Sequence, residues 1–592
     1  MEATLSHYFG YDTFRPGQKE IISKIISHRN VLGVLPTGGG KSICYQVPGL
    51  MLGGTTIVIS PLISLMKDQV DQLKASGINA AFLNSSLTQK QQKAIEQQLL
   101  NGEIQFLYVA PERFDNDYFI SLLHQLPIRL VAFDEAHCIS KWGHDFRPSY
   151  QDVIYKVFDL PQDFAIVALT ATATAEVQKD IMSRLNINKA DEVKTSTKRR
   201  NLVFKVNPTY QRQKFVIDYV NQHKQEAGII YCSTRKQVEE LHEALEDNNV
   251  NSTIYHAGLT NKERERAQND FVYDRVRVVV ATNAFGMGID KSNVRFVIHY
   301  NMPGDMESYY QEAGRAGRDG LKSDCILLFS ERDIGLHQYF ISSSKADDDY
   351  KDKMGEKLTK MIQYTKTKKC LEATLVHYFE PNEKLEECQQ CSNCVRENKT
   401  YDMTHEAKMI ISCIARMKQQ ESYGVIIQVL RGELTDYIRY CEYDKLSTHG
   451  IMKDYTTSDL SHLIDELRFK GYLNENDEIL TCDSNVKSLL NAEKVVFTTP
   501  FKRKSKEKVS INTVEGVDKA LFDELKGVRQ KLSEQLDIAP VSVFSDYTLE
   551  EFAKRKPESK QDMISIDGVG SYKLKHYCPK FLETIQSYKA QI

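Results

Sequence analysis

No stretch of this chain approaches eighteen consecutive apolar residues, so it offers no segment long enough for a membrane-spanning helix. The opening residues, Met1-Glu-Ala-Thr-Leu-Ser-His-Tyr8, carry neither a basic start nor an apolar core, and no secretory leader is expected. A basic surplus is also missing. Lys and Arg number 77 against 80 Asp and Glu, a net charge of −3, so a nucleic-acid partner would have to be met by local basic surface. Tryptophan occurs once, which makes its position informative. The chain lacks the dense cysteine framework of a small secreted domain. Eight of its twelve cysteines stand singly, at Cys44, Cys138, Cys232, Cys325, Cys413, Cys441, Cys482 and Cys578. They read as buried, small apolar side chains in a reducing compartment. A cytoplasmic protein is expected.

What is present is globular: 41% hydrophobic and 27% charged residues over 592 positions, enough for about three to five domains. The sharpest stretch is Val31-Leu-Gly-Val-Leu-Pro-Thr-Gly-Gly-Gly-Lys-Ser42. An apolar β-like run enters a glycine turn and leaves through Lys41 and Ser42 into a helical pattern. Backbone N–H groups of Thr37, Gly38 and Gly40 can close around a polyphosphate, and the helix N-terminus favours the same charge. Lys41 would reach the β- and γ-phosphates, and Ser42 would hold Mg²⁺. The general P-loop asks for glycine where Leu35 stands, so the pattern is matched in its second half. An unliganded glycine-rich turn is the simpler reading of the segment taken alone.

Upstream lies Phe9-Gly-Tyr-Asp-Thr-Phe-Arg-Pro-Gly-Gln18. The Gln18 amide has a donor and an acceptor side that suit adenine, and Tyr11 and Arg15 are flat groups able to stack on the base. Downstream, β-like runs at 56–60, 104–109, 130–134 and 165–170 alternate with helical segments. That alternation predicts a parallel sheet covered by helices, with ligands at the carboxyl ends of its strands. Asp134 closes the third run and is placed to hold Mg²⁺. Glu135 beside it is placed to orient and deprotonate a water.

Gly-Lys-Ser42, Asp134-Glu-Ala-His137 and Thr170-Ala-Thr172 resemble superfamily 2 helicases, and Phe14-Arg-Pro-Gly-Gln18 with Leu35-Pro-Thr-Gly-Gly-Gly-Lys-Ser42 resembles the RecQ family of DNA helicases. The resemblance implies two RecA-like α/β lobes, a zinc-binding helical segment, a winged helix and a small all-helical HRDC domain. The corresponding divisions fall at 1–206, 207–335, 336–400, 401–500, a basic linker at 501–515, and 516–592. It implies ATP and Mg²⁺, one structural Zn²⁺, and 3′-to-5′ motion on DNA in recombination, repair and replication. Single-stranded and forked duplex DNA are the implied substrates. Single-strand-binding protein and a topoisomerase are implied partners, and a nucleoid-associated place in the cytoplasm follows.

Cys138-Ile-Ser-Lys-Trp-Gly-His-Asp-Phe-Arg-Pro-Ser-Tyr150 interleaves aromatic and basic groups. It resembles the family's aromatic-rich loop that senses single-stranded DNA, with Trp142, His144, Phe146 and Arg147 as contacts. Stacking on such rings contributes about 1–3 kcal/mol per base. In the second lobe, β-like runs at 228–232, 253–256, 276–282, 296–300 and 325–329 recur without a phosphate loop. Ala281-Thr-Asn-Ala-Phe-Gly-Met-Gly-Ile-Asp290 has groups suited to backbone phosphates and ribose. In Gln311-Glu-Ala-Gly-Arg-Ala-Gly-Arg318, a continuous helix would put Gln311, Arg315 and Arg318 on one face. In the family the arginines act across the cleft on the triphosphate.

Cys370, Cys388, Cys391 and Cys394 have the spacing C-x17-C-x2-C-x2-C, which suits a closed four-thiolate zinc site. An iron–sulfur cluster is the rival for such spacing. Lys366-Thr-Lys-Lys369 beside it could touch phosphates. Helical patterns near 405–417, 424–431 and 458–470, then a hairpin through the short acidic tip 474–477, predict a winged helix. A C-terminal helix is expected over 517–536, and Tyr572, Lys573 and Lys575 are further candidates for nucleic-acid contact. Three alternatives to a DNA helicase stay open on sequence alone: a DNA-stimulated translocase that unwinds little, a non-catalytic DNA-binding regulator, and an RNA helicase.

Overall fold

The computed structural model describes residues 1–592 except 62, 85–86, 144–146, 148, 210, 286–290, 345, 384–385, 396–400, 477–478, 491–495, 498–516, 537 and 592. His144, Phe146, the glycines of 286–290, Asp477 at the hairpin tip and the basic linker therefore lie outside the described residues.

The first lobe is built on β1 (Val31–Val34), β2 (Thr55–Ile59), β3 (Ala80–Leu83), β4 (Phe106–Val109), β5 (Ile128–Phe133), β6 (Ala165–Thr170) and β7 (Glu192–Lys194). Their order is β3-β4-β2-β5-β6-β1-β7, with every pairing parallel. The central strands are continuous apolar runs, not alternating ones, because helices cover both faces. Every residue of β1, β2, β4 and β6 is buried. In a parallel sheet all carboxyl ends share one edge, so the loops after β1, β2, β5 and β6 open together.

The second lobe carries β8 (Leu202–Pro208), β9 (Ala227–Tyr231), β10 (Ser252–Tyr255), β11 (Val278–Ala281), β12 (Val294–His299) and β13 (Ser323–Phe329). The order is β10-β11-β9-β12-β13-β8, again parallel throughout. The edge strand β8 runs alongside β13 from Leu202 opposite Ser323 to Pro208 opposite Phe329. The expected division at 206/207 thus passes through a strand of the second sheet, and residues 195–201 make the crossing between lobes.

Beyond the lobes come helices Arg332–Ser343, Asp348–Lys366 and Leu371–Phe379. The winged-helix segment has helices Thr404–Arg416, Tyr423–Arg431 and Thr457–Phe469 with hairpin strands Leu473–Asn476 and Ile479–Cys482, around a core of its own. An additional helix, Asp436–Tyr440, is too short to show a helical period in sequence. The C-terminal domain is all-helical, from Lys519–Leu536 to Cys578–Gln591, about an aromatic core in which Phe544 meets Phe552 and Phe581 edge-on at 5.2 and 5.1 Å.

The two ends of the chain meet. The first helix, Glu2–Phe9, packs beside Ser571–His576. Gly568 N–H donates to the Gly10 carbonyl at 2.9 Å. A Cβ on Gly10 would fall 2.4 Å from Gly570 N, and Gly10 has φ +72°, so two glycines let the backbones touch. Among the described residues no helix is long and apolar enough to cross a membrane.

Candidate nucleotide site and its DNA-facing surroundings

The phosphate loop follows β1 and hands the chain to helix Ile43–Leu52. Gly38 and Gly40 take φ +71° and +73°, a region that an L side chain enters at a cost. Gln18 supports the loop from outside. Its Nε2 donates to the Gly39 and Gly40 carbonyls at 3.2 and 2.9 Å, and its Oε1 accepts from Arg15 N at 2.8 Å. Arg15 Nη1 donates to the Gly38 carbonyl. Reading adenine with Gln18 therefore requires these bonds to be exchanged. Tyr11 stays 40% exposed at the rim.

Asp134 follows the end of β5, its N–H donating to the Ile59 carbonyl at 2.9 Å. Burial, and then the neighbouring Glu135 carboxylate, push its carboxyl up to about 7, against the pull of Lys41 and Arg318. Glu135 sits at φ 47°, an uncommon conformation for this residue, and its Oε2 is buried without a hydrogen bond. Two adjacent carboxylates beside Ser42 fit a divalent cation. His137 Nδ1 lies 3.1 Å from Thr170 Oγ1 and 3.4 Å from Glu135 Oε2. It physically joins Asp134-Glu-Ala-His137 to Thr170-Ala-Thr172, a role that the bare motif did not reveal.

From the second lobe, helix Met306–Ala313 points its end at this cleft. The continuous helix expected through Arg318 is not formed. The helix stops at Ala313, with Gly314 as its cap, because Gly314 and Gly317 disfavour helix and Gly317 takes φ +56°. Gln311, Arg315 and Arg318 nevertheless line one cleft of about 360 Å³ with Thr37, Gly38, Gly40, Lys41, Ser42, Asp134 and Glu135. They reach it from a helix end and a turn, not from one helical face. Arg315 is 4% exposed, and its charge opposes the upward push that burial gives the Tyr231 phenol.

Arg199, in the crossing between lobes, holds that turn. Its Nη1 donates to the Gly314 carbonyl at 2.8 Å and its Nη2 to the Ala316 carbonyl at 3.2 Å and to that of Gly317. A guanidinium on the cap carbonyl and on the turn after it satisfies groups that no helical bond takes. Nothing local in Lys198-Arg-Arg200 marks this function.

The C-terminal domain forms part of the cleft wall through Ser542, Ser545, Thr548, Gly568 and Lys573. Tyr572 and Lys573, candidates for nucleic-acid contact, are used within the protein. The Tyr572 ring lies where a Cβ on Gly77 would stand, 2.7 Å from it. Lys573 faces the cleft, and burial lowers its ammonium to about 8. Tyr577 Oη donates to the Ala75 carbonyl at 3.3 Å, and Gln530 Nε2 reaches the Tyr273 carbonyl of the second lobe at 3.4 Å. The domain therefore bridges the lobes. Lys575 remains exposed.

Trp142 is half-buried against the first lobe's core. Its ring is not an open platform: Lys353 Nζ lies 3.1 Å from the ring centroid and Lys141 Nζ 4.2 Å. Lys357 Nζ, which donates to the Trp142 carbonyl at 3.3 Å, also pairs with Glu307 at 3.1 Å. Arg147 Nη1 donates to the Pro61 carbonyl at 2.7 Å, tying the aromatic loop to the end of β2. The structure thus spends Arg147 on the loop's anchorage.

Cys370, Cys388, Cys391 and Cys394 come together with their sulfurs all within 4.8 Å of one another. Cys388 and Cys394 Sγ are 3.9 Å apart, and Cys391 and Cys370 Sγ 4.0 Å. A regular tetrahedron with Zn–S of about 2.3 Å has edges of about 3.8 Å. Backbone N–H groups of Leu371, Cys388 and Cys391 donate to these sulfurs at 3.4, 3.3 and 3.2 Å, which favours thiolates. Four protein sulfurs close a structural zinc site and leave no position for catalysis. The segment is stitched to the lobe crossing: Gln390 Nε2 donates to the Arg200 carbonyl at 2.8 Å, and Ser392 N–H to that of Phe204 at 3.0 Å.

Five family models match successive parts of the chain. They are DEAD/DEAH box helicase over 15–181, helicase conserved C-terminal domain over 211–320, RecQ zinc-binding over 331–395, RQC domain over 397–507 and HRDC domain over 518–585. The chain is 43% identical over 593 residues to ATP-dependent DNA helicase RecQ of Bacillus subtilis (strain 168), which covers 99% of this chain and 98% of that one. It is 38% identical over 596 residues to ATP-dependent DNA helicase RecQ of Haemophilus influenzae, covering 99% and 96%. To ATP-dependent DNA helicase Q-like 2 of Arabidopsis thaliana it is 33% identical over 602 residues, covering 98% and 82%.

Proposed function

Because the chain belongs to the RecQ family of ATP-dependent DNA helicases, we propose a division of labour among its own residues. The observation that carries it is the convergence, in one cleft, of Lys41, Ser42, Asp134 and Glu135 from the first lobe with Gln311, Arg315 and Arg318 from the second. ATP binds with its phosphates on the loop 37–42, and Tyr11, Arg15 and Gln18 border the base. Ser42 and Asp134 would hold Mg²⁺, which would neutralise charge on the phosphates. Glu135 takes the proton of the attacking water, with the His137 imidazole 3.4 Å from its carboxylate. Arg315 and Arg318 stabilise the charge that grows on the transferring phosphoryl group. The arginines belong to one lobe and the lysine to the other, so the charge is met only when the lobes are closed. Cycles of closure and opening then move the lobes along one strand, 3′ to 5′.

DNA is the substrate, and Trp142 with His144 and Phe146 is the sensor that couples the strand to hydrolysis. Lys353 must leave the indole face for a base to stack there. Separation of a forked duplex uses the winged helix, whose acidic hairpin makes a weak wedge. We place the protein in the cytoplasm at the nucleoid, serving recombination, repair and replication, with single-strand-binding protein and a topoisomerase as partners. The test is ATP hydrolysis with and without single-stranded DNA, run beside strand displacement on a fork. Hydrolysis that DNA stimulates, with displacement, is expected. Stimulated hydrolysis with no displacement would make the protein a translocase. Absence of stimulation would overturn the assignment of a DNA motor.

A further inference from the structure

The helix Asp348–Lys366 belongs to the second lobe by its apolar side and reaches the first by its lysines. Leu358, Met361 and Tyr364 are buried in the second lobe's core. The Tyr364 ring lies 5.3 Å from that of Tyr309, in the helix Met306–Ala313. Lys353 and Lys357, four residues apart, share one face. Lys353 Nζ pairs with Glu176 of the first lobe at 3.0 Å and covers the Trp142 ring. Lys357 Nζ engages both lobes at once. It stands 3.1 Å from Glu307 Oε1 in the second and donates to the Trp142 carbonyl of the first at 3.3 Å. The Glu307 side chain is 3% exposed and that of Lys357 18%, so this is not a pair on open surface. Burial and the neighbouring Asp305 carboxylate push the Glu307 carboxyl up, and the Lys357 ammonium opposes them. Glu307 stands in the first turn of Met306–Ala313. Gln311 lies one turn further along, in the nucleotide cleft, and Arg315 two residues beyond the helix end.

We propose that Lys357 is a positioning residue: it ties the backbone of the aromatic loop at Trp142 to the helix whose far end delivers Gln311 and Arg315, and so carries the loop's displacement by single-stranded DNA to the nucleotide cleft. This rests on reading Trp142 as the DNA sensor. The ring and the carbonyl of Trp142 have separate partners. A base that takes the indole face displaces Lys353 and leaves the Lys357 bond in place. A helix of eight residues is about 12 Å long and hydrogen-bonded along its length, so it moves as a unit. A shift at Glu307 therefore reaches the turn that Arg199 holds. Lys357→Met keeps the aliphatic stem and removes the bridge.

Trp142 is the only tryptophan of the chain, so fluorescence of the full-length protein reads base stacking separately from hydrolysis. The experiment titrates wild type, Lys357→Met, Glu307→Gln and the double variant with a single-stranded oligothymidylate, following fluorescence and ATP hydrolysis in parallel. Lys357→Met is expected to keep the fluorescence change at a DNA concentration within about threefold of wild type, and DNA-independent hydrolysis within about twofold. The factor by which DNA stimulates hydrolysis should fall about tenfold or more, since hydrogen bonds to charged groups are the stronger class. Glu307→Gln should lower the same factor alone, but by less than about twofold in the Lys357→Met background, because both act through one bridge. Stimulation within about twofold of wild type in Lys357→Met would overturn the inference. So would an equal loss from Glu307→Gln in both backgrounds. A parallel loss of basal and stimulated hydrolysis, or loss of the fluorescence change, would overturn it as well, since the lysine would then support the fold or present the ring without transmitting. A wild-type fluorescence that DNA leaves unaltered would instead overturn Trp142 as the sensor.

Discussion

Gly314→Ala is the substitution in which the structure makes its most quantitative demand. Gly314 packs on Thr37 of the phosphate loop, across the gap between lobes. A Cβ there would stand 2.0 Å from Thr37 Oγ1, 2.7 Å from its Cβ and 2.9 Å from its Cγ2. Rotating the Thr37 side chain can move the hydroxyl and the methyl, but its Cβ is fixed to the backbone. Restoring an ordinary carbon–carbon separation of about 3.5 Å therefore means parting the two segments by nearly 1 Å. Arg315 is the next residue and moves with the turn. Misplacement by about 1 Å near the reacting groups costs up to about 100-fold, equivalent to about 2.7 kcal/mol on the barrier. The local backbone is no obstacle to alanine, because Gly314 already has φ −66°. We expect DNA-stimulated kcat to fall by about 30- to 100-fold. Adding Thr37→Gly, which removes the opposing Cβ, should restore much of the loss relative to Thr37→Gly alone. A Gly314→Ala protein that turns over within about twofold of wild type would refute the reasoning, since turnover would then never require this approach of the lobes. An equal fall in kcat when Gly314→Ala is added to Thr37→Gly would refute it too.

Other consequences can be tested alongside. Glu135→Gln should retain ATP binding but lose about 100- to 10,000-fold in hydrolysis, as measured by nucleotide binding and single turnover. Trp142→Ala should abolish stimulation by single-stranded DNA while leaving DNA-independent hydrolysis measurable. Removal of zinc by a chelator, or Cys388→Ser, should lower the melting temperature and loosen the lobe crossing, read as protease sensitivity near 195–206, because that crossing is bonded to the zinc segment. Lys573 titrates at about 8 in the folded protein against the usual 10.5, so above pH 8 the unfolded chain binds the extra proton and stability rises with pH up to about 10.5. Lys573→Met should remove that rise and stabilise the C-terminal domain at pH 7 by at most ~3 kcal/mol, seen by urea unfolding at pH 7 and pH 10.

The meeting of Lys41, Ser42, Asp134 and Glu135 in one cleft was legible because their placement depends on local backbone: a glycine turn after a strand, and a carboxylate pair at a strand end. The cysteines were legible because their spacing is itself geometric. The second lobe's arginines reach the cleft, but from a turn, not from the helix that their spacing would have allowed. The period of three and four matches a helix, while Gly314 and Gly317 end it. Strands β3 and β7 escaped notice because Ala80-Ala-Phe-Leu83 has weak strand preference and Glu192–Lys194 is three residues long. Arg199 and Lys353 could not be foreseen, because each acts on a segment more than a hundred residues away. The same holds for Lys573 and the wall it belongs to. A hairpin in the winged helix was expected and is formed, but residues 474–476, expected at its tip, belong to its first strand; helix Asp436–Tyr440 carries no periodic signal at five residues.

The closure of the chain's two ends on each other, Gly10 against Gly568 and Gly570, has a meaning for biosynthesis. Residues 37–42 of the phosphate loop are translated long before residues 542–573, which complete the wall of its cleft. At roughly 5–20 residues per second, tens of seconds separate the two. During that interval the first lobe can fold, since its seven strands are contiguous in sequence, and its nucleotide cleft is open on the side that residues 542–573 later cover. An incomplete chain released in that window would present ATP with a site shaped differently from that of the finished motor.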